Sequence, residues 1–191
     1  MEKLDRAFYA RDALVVARAL IGTFLVSGAR VVRIVETEAY RGPKDGASHA
    51  RVGLTRRTRT LLGPAGHAYV YFVYGMHDCF NAVCLGEGSG HAVLIRAGEP
   101  VRGLEDGKRT DGPARLASAL GITRAQDGQD LTTGPLYVSA REKRPRIATS
   151  ARVGVAYAGA IAEAKWRFFD PSSAWVSRPP KKAIGLGTLA R

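Results

Sequence analysis

The segment Arg33-Ile34-Val35-Glu36-Thr37-Glu38-Ala39-Tyr40 carries the most chemistry in this chain. Read as a strand, it puts Glu36, Glu38 and Tyr40 on one face. Two carboxylates beside an aromatic ring make a poor core surface, because a buried unpaired carboxylate is costly. Arginine pairing accounts for Glu36 more readily than for Glu38, which lies nearer a polar loop. A second group is Tyr69, Tyr71 and Tyr74. Tyr69 and Tyr71 share a strand face and read as core aromatics, while Tyr74 falls at a turn beside Gly75 and Met76. An aromatic and a methionine at a hairpin tip cannot both be well buried, so they are exposed or insert into a partner.

Other chemistries find little support. Cys79 and Cys84, with scattered His49, His67, His77 and His91, form no zinc pattern. Gly86-Glu87-Gly88-Ser89-Gly90 is followed by no Lys-Ser/Thr and no helical pattern, so it reads as a loop rather than a phosphate cradle. No serine stands in a nucleophile-elbow context. Arg51, Arg56, Arg57 and Arg59 form one basic run, and Arg141, Lys143, Arg144 and Arg146 another. Both suit a surface that tracks a polyanion backbone.

The elements that must hold these groups are mostly hairpins. A helix starts at the N-cap Asp12 and runs to Gly22. Thr23–Ser27 and Arg30–Tyr40 are strands joined by a turn at Ser27-Gly28-Ala29. Residues 41–67 have no hydrophobic period and form a loop whose length itself points to function. Strands follow at Tyr69–Tyr74, Cys79–Leu85 and Ala92–Ala97, with a turn over residues 75–78. Pro113 opens a helix that Gly121 closes, and Arg152–Tyr157 reads as a further strand. Residues 178–191 look like a loose basic tail. The succession is mixed α/β in a single domain over 1–191.

Bulk properties narrow the partner. The 191 residues are 46% hydrophobic and 24% charged, which excludes a disordered, collagen-like or coiled-coil chain. Two cysteines suggest a reducing compartment, and neither a leader nor a membrane-length apolar run is visible. The expectation is a soluble intracellular protein. Net charge is +12, and of the 29 basic residues 22 are arginine. Arginine suits bidentate phosphate contacts, so the composition points to nucleic acid.

Several blocks in order resemble the alkyladenine type of 3-methyladenine DNA glycosylase: Arg33–Tyr40, Gly42-Pro43 with Asp45 and His49, and Tyr69–Met76 with Asn81. Leu94–Pro100, Gly112-Pro113 with Leu116, Arg152–Val155 and Ala174–Ser177 complete the series, spanning residues 12 to 178. The resemblance implies an α+β domain with a curved antiparallel sheet, flanking helices and a protruding hairpin. It implies a monofunctional base-excision repair enzyme, without lyase activity, that removes 3-methyladenine, 7-methylguanine, hypoxanthine and ethenoadenine from double-stranded DNA. No metal or other cofactor, a monomer, and a cytoplasmic or nucleoid-associated location also follow from it. By matching motif, Glu38 is the general base, Arg96 helps hold the attacking water and a phosphate, and the Val153 backbone lies by that water. Tyr40, His49 and Tyr71 wall the purine pocket, Asn81 screens the guanine 2-amino group, and Tyr74 is the wedge, with Met76 beside it. His77 departs from the aromatic residue of the vertebrate type, and the arginines of the 42–66 loop also depart. The competing readings are a non-catalytic module gripping distorted or single-stranded DNA through the same tyrosines, and a metal-dependent nuclease.

Overall fold

A computed structural model describes residues 1–73, 75–141, 143 and 145–178. Tyr74 and all of the expected tail except Arg178 therefore lie outside the described residues. The architecture is one curled, wholly antiparallel sheet with few helices. Its strands are β1 (Phe24–Ser27), β2 (Arg30–Arg41), β3 (Ala68–Val73), β4 (His77–Cys84), β5 (His91–Arg102), β6 (Leu136–Ser139), β7 (Ala148–Ser150) and β8 (Arg167–Phe169). The spatial order is β3-β4-β5-β2-β1-β6, with β8 joining β2 and β7.

Three helices cover one face: α1 (Arg6–Tyr9), α2 (Ala13–Leu20) and α3 (Pro113–Leu120). Asp12 caps α2 by accepting from the Leu14 amide at 2.8 Å, and Ala13, Val16, Ala17 and Leu20 bury one stripe. Helix α3 starts at Pro113 and stops at Gly121, whose φ of 67° is the left-handed conformation that ends helices. Leu116, Ala117 and Leu120 of α3 join the α2 stripe, Val32, Ile34, Val93 and Ile95 in the main core. Among the described residues no helix is long and apolar enough to cross a membrane.

Strand β2 organises the sheet. Residues 30–33 pair with β1, whereas 36–38 pair with β8 along the same edge. Between the two lies a register shift: Ile34 faces Gly98 and Glu36 faces Ala97, leaving Val35 extra, and Arg96 is skipped in turn on β5. The bulge changes the phase of β2. Val32 and Ile34 face the core before it, and Ala39 and Thr37, whose hydroxyl donates to the Ala17 carbonyl, face the core after it. Val35 packs on the other side with Ala97, Phe169 and Val176. Glu36 and Glu38 are thereby turned away from α2.

Several expectations need correction. Arg152–Tyr157 is not a strand: a turn at 153–154 leads into 3-10 turns over Ala156–Glu163. The return strand β4 begins at His77 rather than Cys79, opposite Val73, so the hairpin turn is tighter than expected. The 41–67 loop contains 3-10 turns at Gly42–Lys44 and His49–Val52. Arg141 is not on an open basic face; its guanidinium donates to the Ala19 and Ile21 carbonyls at the end of α2. The short elements α1, β6, β7 and β8 are not among the expected ones, although Asp5 caps α1 by accepting from the Phe8 amide at 2.8 Å.

Glu36 is wholly buried and anchors the bulge. It accepts from Arg96 Nε (2.8 Å), Arg167 Nε (2.7 Å), the Ser177 hydroxyl (3.0 Å) and the Ser177 amide (2.6 Å). Replacing it by alanine leaves two interior guanidinium groups short of a counter-charge, a loss of about 3–5 kcal/mol. Urea unfolding of Glu36→Ala is expected to show that loss as a lower midpoint. A loss below ~1 kcal/mol contradicts the assignment.

Candidate active site

The far side of the sheet from α2 holds a cavity of about 450 Å³. Its lining comes from β2, β3, β4, β5, the 41–67 loop, the start of α3 and residues 153–157. Tyr40, His49, Tyr69, Tyr71, Asn81, Arg96 and Val153 all contribute. Glu38 is fully covered, beneath Tyr40, Arg96 and Val153.

Glu38 sits in a ring of donors. Its Oε1 accepts from the Val153 amide at 2.7 Å, and its Oε2 from the Tyr40 hydroxyl at 3.0 Å. The third contact, from Arg96 Nη1, is 3.4 Å and is the longest of the set. Arg96 lies between two carboxylates, with Nε on Glu36 and Nη2 on the Ser177 hydroxyl at 3.2 Å. Its place in the β5 bulge gives it this direction. Burial opposes its charge, but Glu38 and Glu36 outweigh that and hold the guanidinium pKa above the ordinary value. Formally, Glu36 and Glu38 balance Arg96 and Arg167, so the floor is neutral as a unit.

The Val153 amide is placed by its neighbour. Arg152 makes a bidentate pair with Asp45 (2.6 and 2.9 Å) and also donates to the Ala39 carbonyl at 3.0 Å. Its guanidinium lies between the rings of Tyr40 (4.7 Å) and Trp166 (4.9 Å). Asp45 is further held by the Arg41 and Ala47 amides. Burial alone would raise the Asp45 carboxyl, yet the Arg152 hydrogen bonds and the Ala47 amide hold it below the ordinary range. One ion pair thus ties the 41–67 loop to the 151–155 segment under the cavity.

Aromatic rings make the walls. The His49 ring meets Tyr71 edge-on at 4.5 Å, and its Nδ1 lies 3.0 Å from the Tyr69 hydroxyl. Tyr69 and Tyr71 are not simply core: Tyr69 packs on Leu61 and Val83, and both rings line the cavity. Tyr69 lines the cavity although its strand pattern gives no reason to separate it from a core aromatic. Burial first, and then the nearby Glu38, push the Tyr40 hydroxyl well above its ordinary pKa, so it stays a donor. Burial likewise raises Tyr71, and raises Tyr69 to about 12. Burial pushes the Cys79 thiol up to about 11, which leaves it a poor nucleophile. Asn81 is buried, with its amide donating to the Tyr69 carbonyl at 3.2 Å. Met76 is 68% exposed at the hairpin tip and stands away from the cavity lining. Among the described residues no three His, Cys, Asp or Glu side chains group as metal ligands.

Burial, helped by the positive charge of Arg57 and Arg51, lowers the His49 pKa from 6.5 to about 4. The folded protein holds a neutral ring, whereas the unfolded chain takes up a proton near pH 6.5. The contribution of His49 is therefore complete above pH 6.5 and is lost as pH falls to about 4. The expected NMR titration midpoint of the His49 ring is about 4. The stability difference between wild type and His49→Phe is expected to shift against wild type on acidification across that window. A midpoint at 6.5 or above contradicts this environment.

Comparison with known proteins brings the same segments together. Residues 7–174 match the sequence model of the methylpurine-DNA glycosylase family. A Myxococcus xanthus protein bearing the name "Putative 3-methyladenine DNA glycosylase" is 52% identical over 94% of this chain and 96% of its own length. Proteins of the same name from Methanocella arvoryzae and Legionella pneumophila are 44% and 43% identical, each over 93% of this chain and 97% and 100% of their own lengths. The chain belongs to the methylpurine-DNA glycosylase family of DNA repair hydrolases.

Proposed function

We propose that this protein removes alkylated or deaminated purines, 3-methyladenine, 7-methylguanine, hypoxanthine and ethenoadenine, from duplex DNA, leaving an abasic site. Family membership sets aside the non-catalytic module. The observation that carries the finer reading is the carboxyl group of Glu38 at the floor of an aromatic cavity, ringed by Val153, Tyr40 and Arg96.

A stacked base is out of reach in a duplex and must rotate out, at a cost of a few kcal/mol that is least for a damaged pair. The hairpin of β3 and β4 supplies what compensates. Tyr74 follows Val73 in sequence and is assigned the wedge that fills the vacated stack, with exposed Met76 beside it in the groove. The extruded purine enters the cavity between Tyr40, His49 and Tyr71. An electron-poor or cationic ring gains roughly 0.5–2 kcal/mol on tyrosine faces, which favours alkylated bases over normal ones. A neutral His49 adds no opposing charge. Asn81, fixed through the Tyr69 carbonyl, stands where it can meet the purine edge.

Glu38 is covered in the free protein, so water reaches its Oε2 when the long 3.4 Å Arg96 contact gives way as the nucleotide enters. As the glycosidic bond lengthens, the sugar gains oxocarbenium character that a carboxylate stabilises. Water oxygen bonds to C1′, its proton passes to Glu38, and the bonding pair leaves with the purine. Arg96 keeps the carboxyl group oriented, and Tyr40 and the Val153 amide occupy its other lone pairs. The same reading places the protein with DNA inside the cell.

Glu38→Gln preserves the shape of the group and its acceptor oxygen while removing the base. It is expected to bind lesion DNA like wild type and to release base at least ~100-fold more slowly in single-turnover assays. Wild-type release rates from this variant would falsify the role of Glu38.

A further inference from the structure

The chemistry just proposed leaves one charge unattended. A purine that is cationic in DNA leaves as a neutral molecule once it takes the bonding pair. A neutral deaminated purine taking the same pair leaves with a negative charge until it is protonated. Glu38 and Arg96 are committed to the sugar side. A cavity that processes neutral purines therefore gains from a positive group beside the base.

Two arginines line the cavity among the described residues. Arg96 is engaged by Glu36 and Glu38, whereas Arg57 forms no ion pair within the described residues. The Arg57 guanidinium instead lies over the ring of Tyr71, with 5.5 Å to the centroid, hydrogen-bonds the Tyr69 side chain, and makes a long 3.5 Å contact from Nη2 to the Phe72 carbonyl. Its partners are a phenol, a ring face and a carbonyl rather than a carboxylate, so among the described residues no counter-ion offsets its charge along the wall on which a purine would stack. Its charge is felt within the cavity, since after burial it is the next largest influence holding His49 neutral.

We infer that Arg57 is a specificity-determining residue that favours neutral purines bearing a 6-keto oxygen over cationic N-alkylated purines. This rests on the reading of the cavity as a purine site. A 6-keto purine offers oxygen and nitrogen acceptors to the guanidinium, and the attraction grows as the base takes on negative charge, so the gain appears in kcat/KM. A cationic purine meets the same guanidinium as a like charge, which offsets part of its stacking on tyrosine. That charge lessens as its bond breaks. Because Arg57 is exposed to solvent, the discrimination it exerts is about tenfold rather than many powers of ten.

The experiment measures single-turnover release of hypoxanthine from a defined duplex and of 3-methyladenine from dimethyl-sulfate-treated DNA, with protein in excess over DNA but below the concentration that saturates the rate, so that the rate reports kcat/KM and includes the repulsion of the bound cation. Wild type, Arg57→Ala and Arg57→Lys are compared on both. Arg57→Ala is expected to lower the hypoxanthine to 3-methyladenine rate ratio about tenfold, and Arg57→Lys, which keeps the charge, to retain most of it. An unchanged ratio, an equal fall on both substrates, or a shift toward hypoxanthine overturns the inference while leaving the purine site intact. Wild-type protein that releases neither base overturns the underlying reading and this inference with it.

Discussion

A carboxylate with no exposure to water must be fully partnered, and Glu36 imposes that requirement on half the molecule. Meeting it takes Arg96 from β5, Arg167 from β8 and both donors of Ser177 near the end of the described chain. The bulge at Val35 is what aims Glu36 at these groups, and it is also where the edge of β2 exchanges β1 for β8. Glu38 inherits its surroundings from that arrangement. Two residues along the same face, it shares Arg96 with Glu36 and lies beneath the cavity lining instead of in the core.

The second constraint is the Asp45–Arg152 pair, which is completely buried. Arg152 spans Tyr40 and Trp166, while Asp45 gathers amides from its own loop. The outcome is a backbone amide, that of Val153, fixed 2.7 Å from Glu38 without a dedicated side chain. Removing either partner would strand a charge in the interior, so the loop and the 151–155 segment cannot shift independently at low cost. Ion pairs below the cavity and tyrosine packing around it hold these groups in fixed positions.

Local signals in the sequence were read well where short-range chemistry decides the outcome. Asp12 starts α2 and Gly121 stops α3, whereas the bulge at Val35 was no part of the strand expected over Arg30–Tyr40. The unusual placing of Glu36 and Glu38 beside Tyr40 singles out the strand whose carboxylates the structure buries under the cavity. Non-local chemistry stayed hidden. The run Arg152-Val153-Gly154-Val155 has strand composition, but Gly154 takes a φ of 76° and Arg152 is held by an aspartate from a distant loop. Strands β7 and β8, three residues each, exist because β2 has a free edge after its bulge. Tyr69 looked like any core aromatic, since alternation cannot tell a packed face from a cavity wall. Arg141 sat in a basic run yet turned inward to the carbonyls ending α2.

The central claim concerns where the water stands relative to Glu38, and a structure of the protein on duplex DNA carrying a cationic pyrrolidine in place of the lesion sugar tests it most directly. The account predicts the modified residue extruded into the Tyr40–His49–Tyr71 cavity, with an ordered water about 3 Å from Glu38 Oε2 and facing the ring position that replaces C1′. A complex in which that residue occupies the cavity while Glu38 stays sealed beneath Arg96 and Val153, with no water between it and the sugar mimic, contradicts the account.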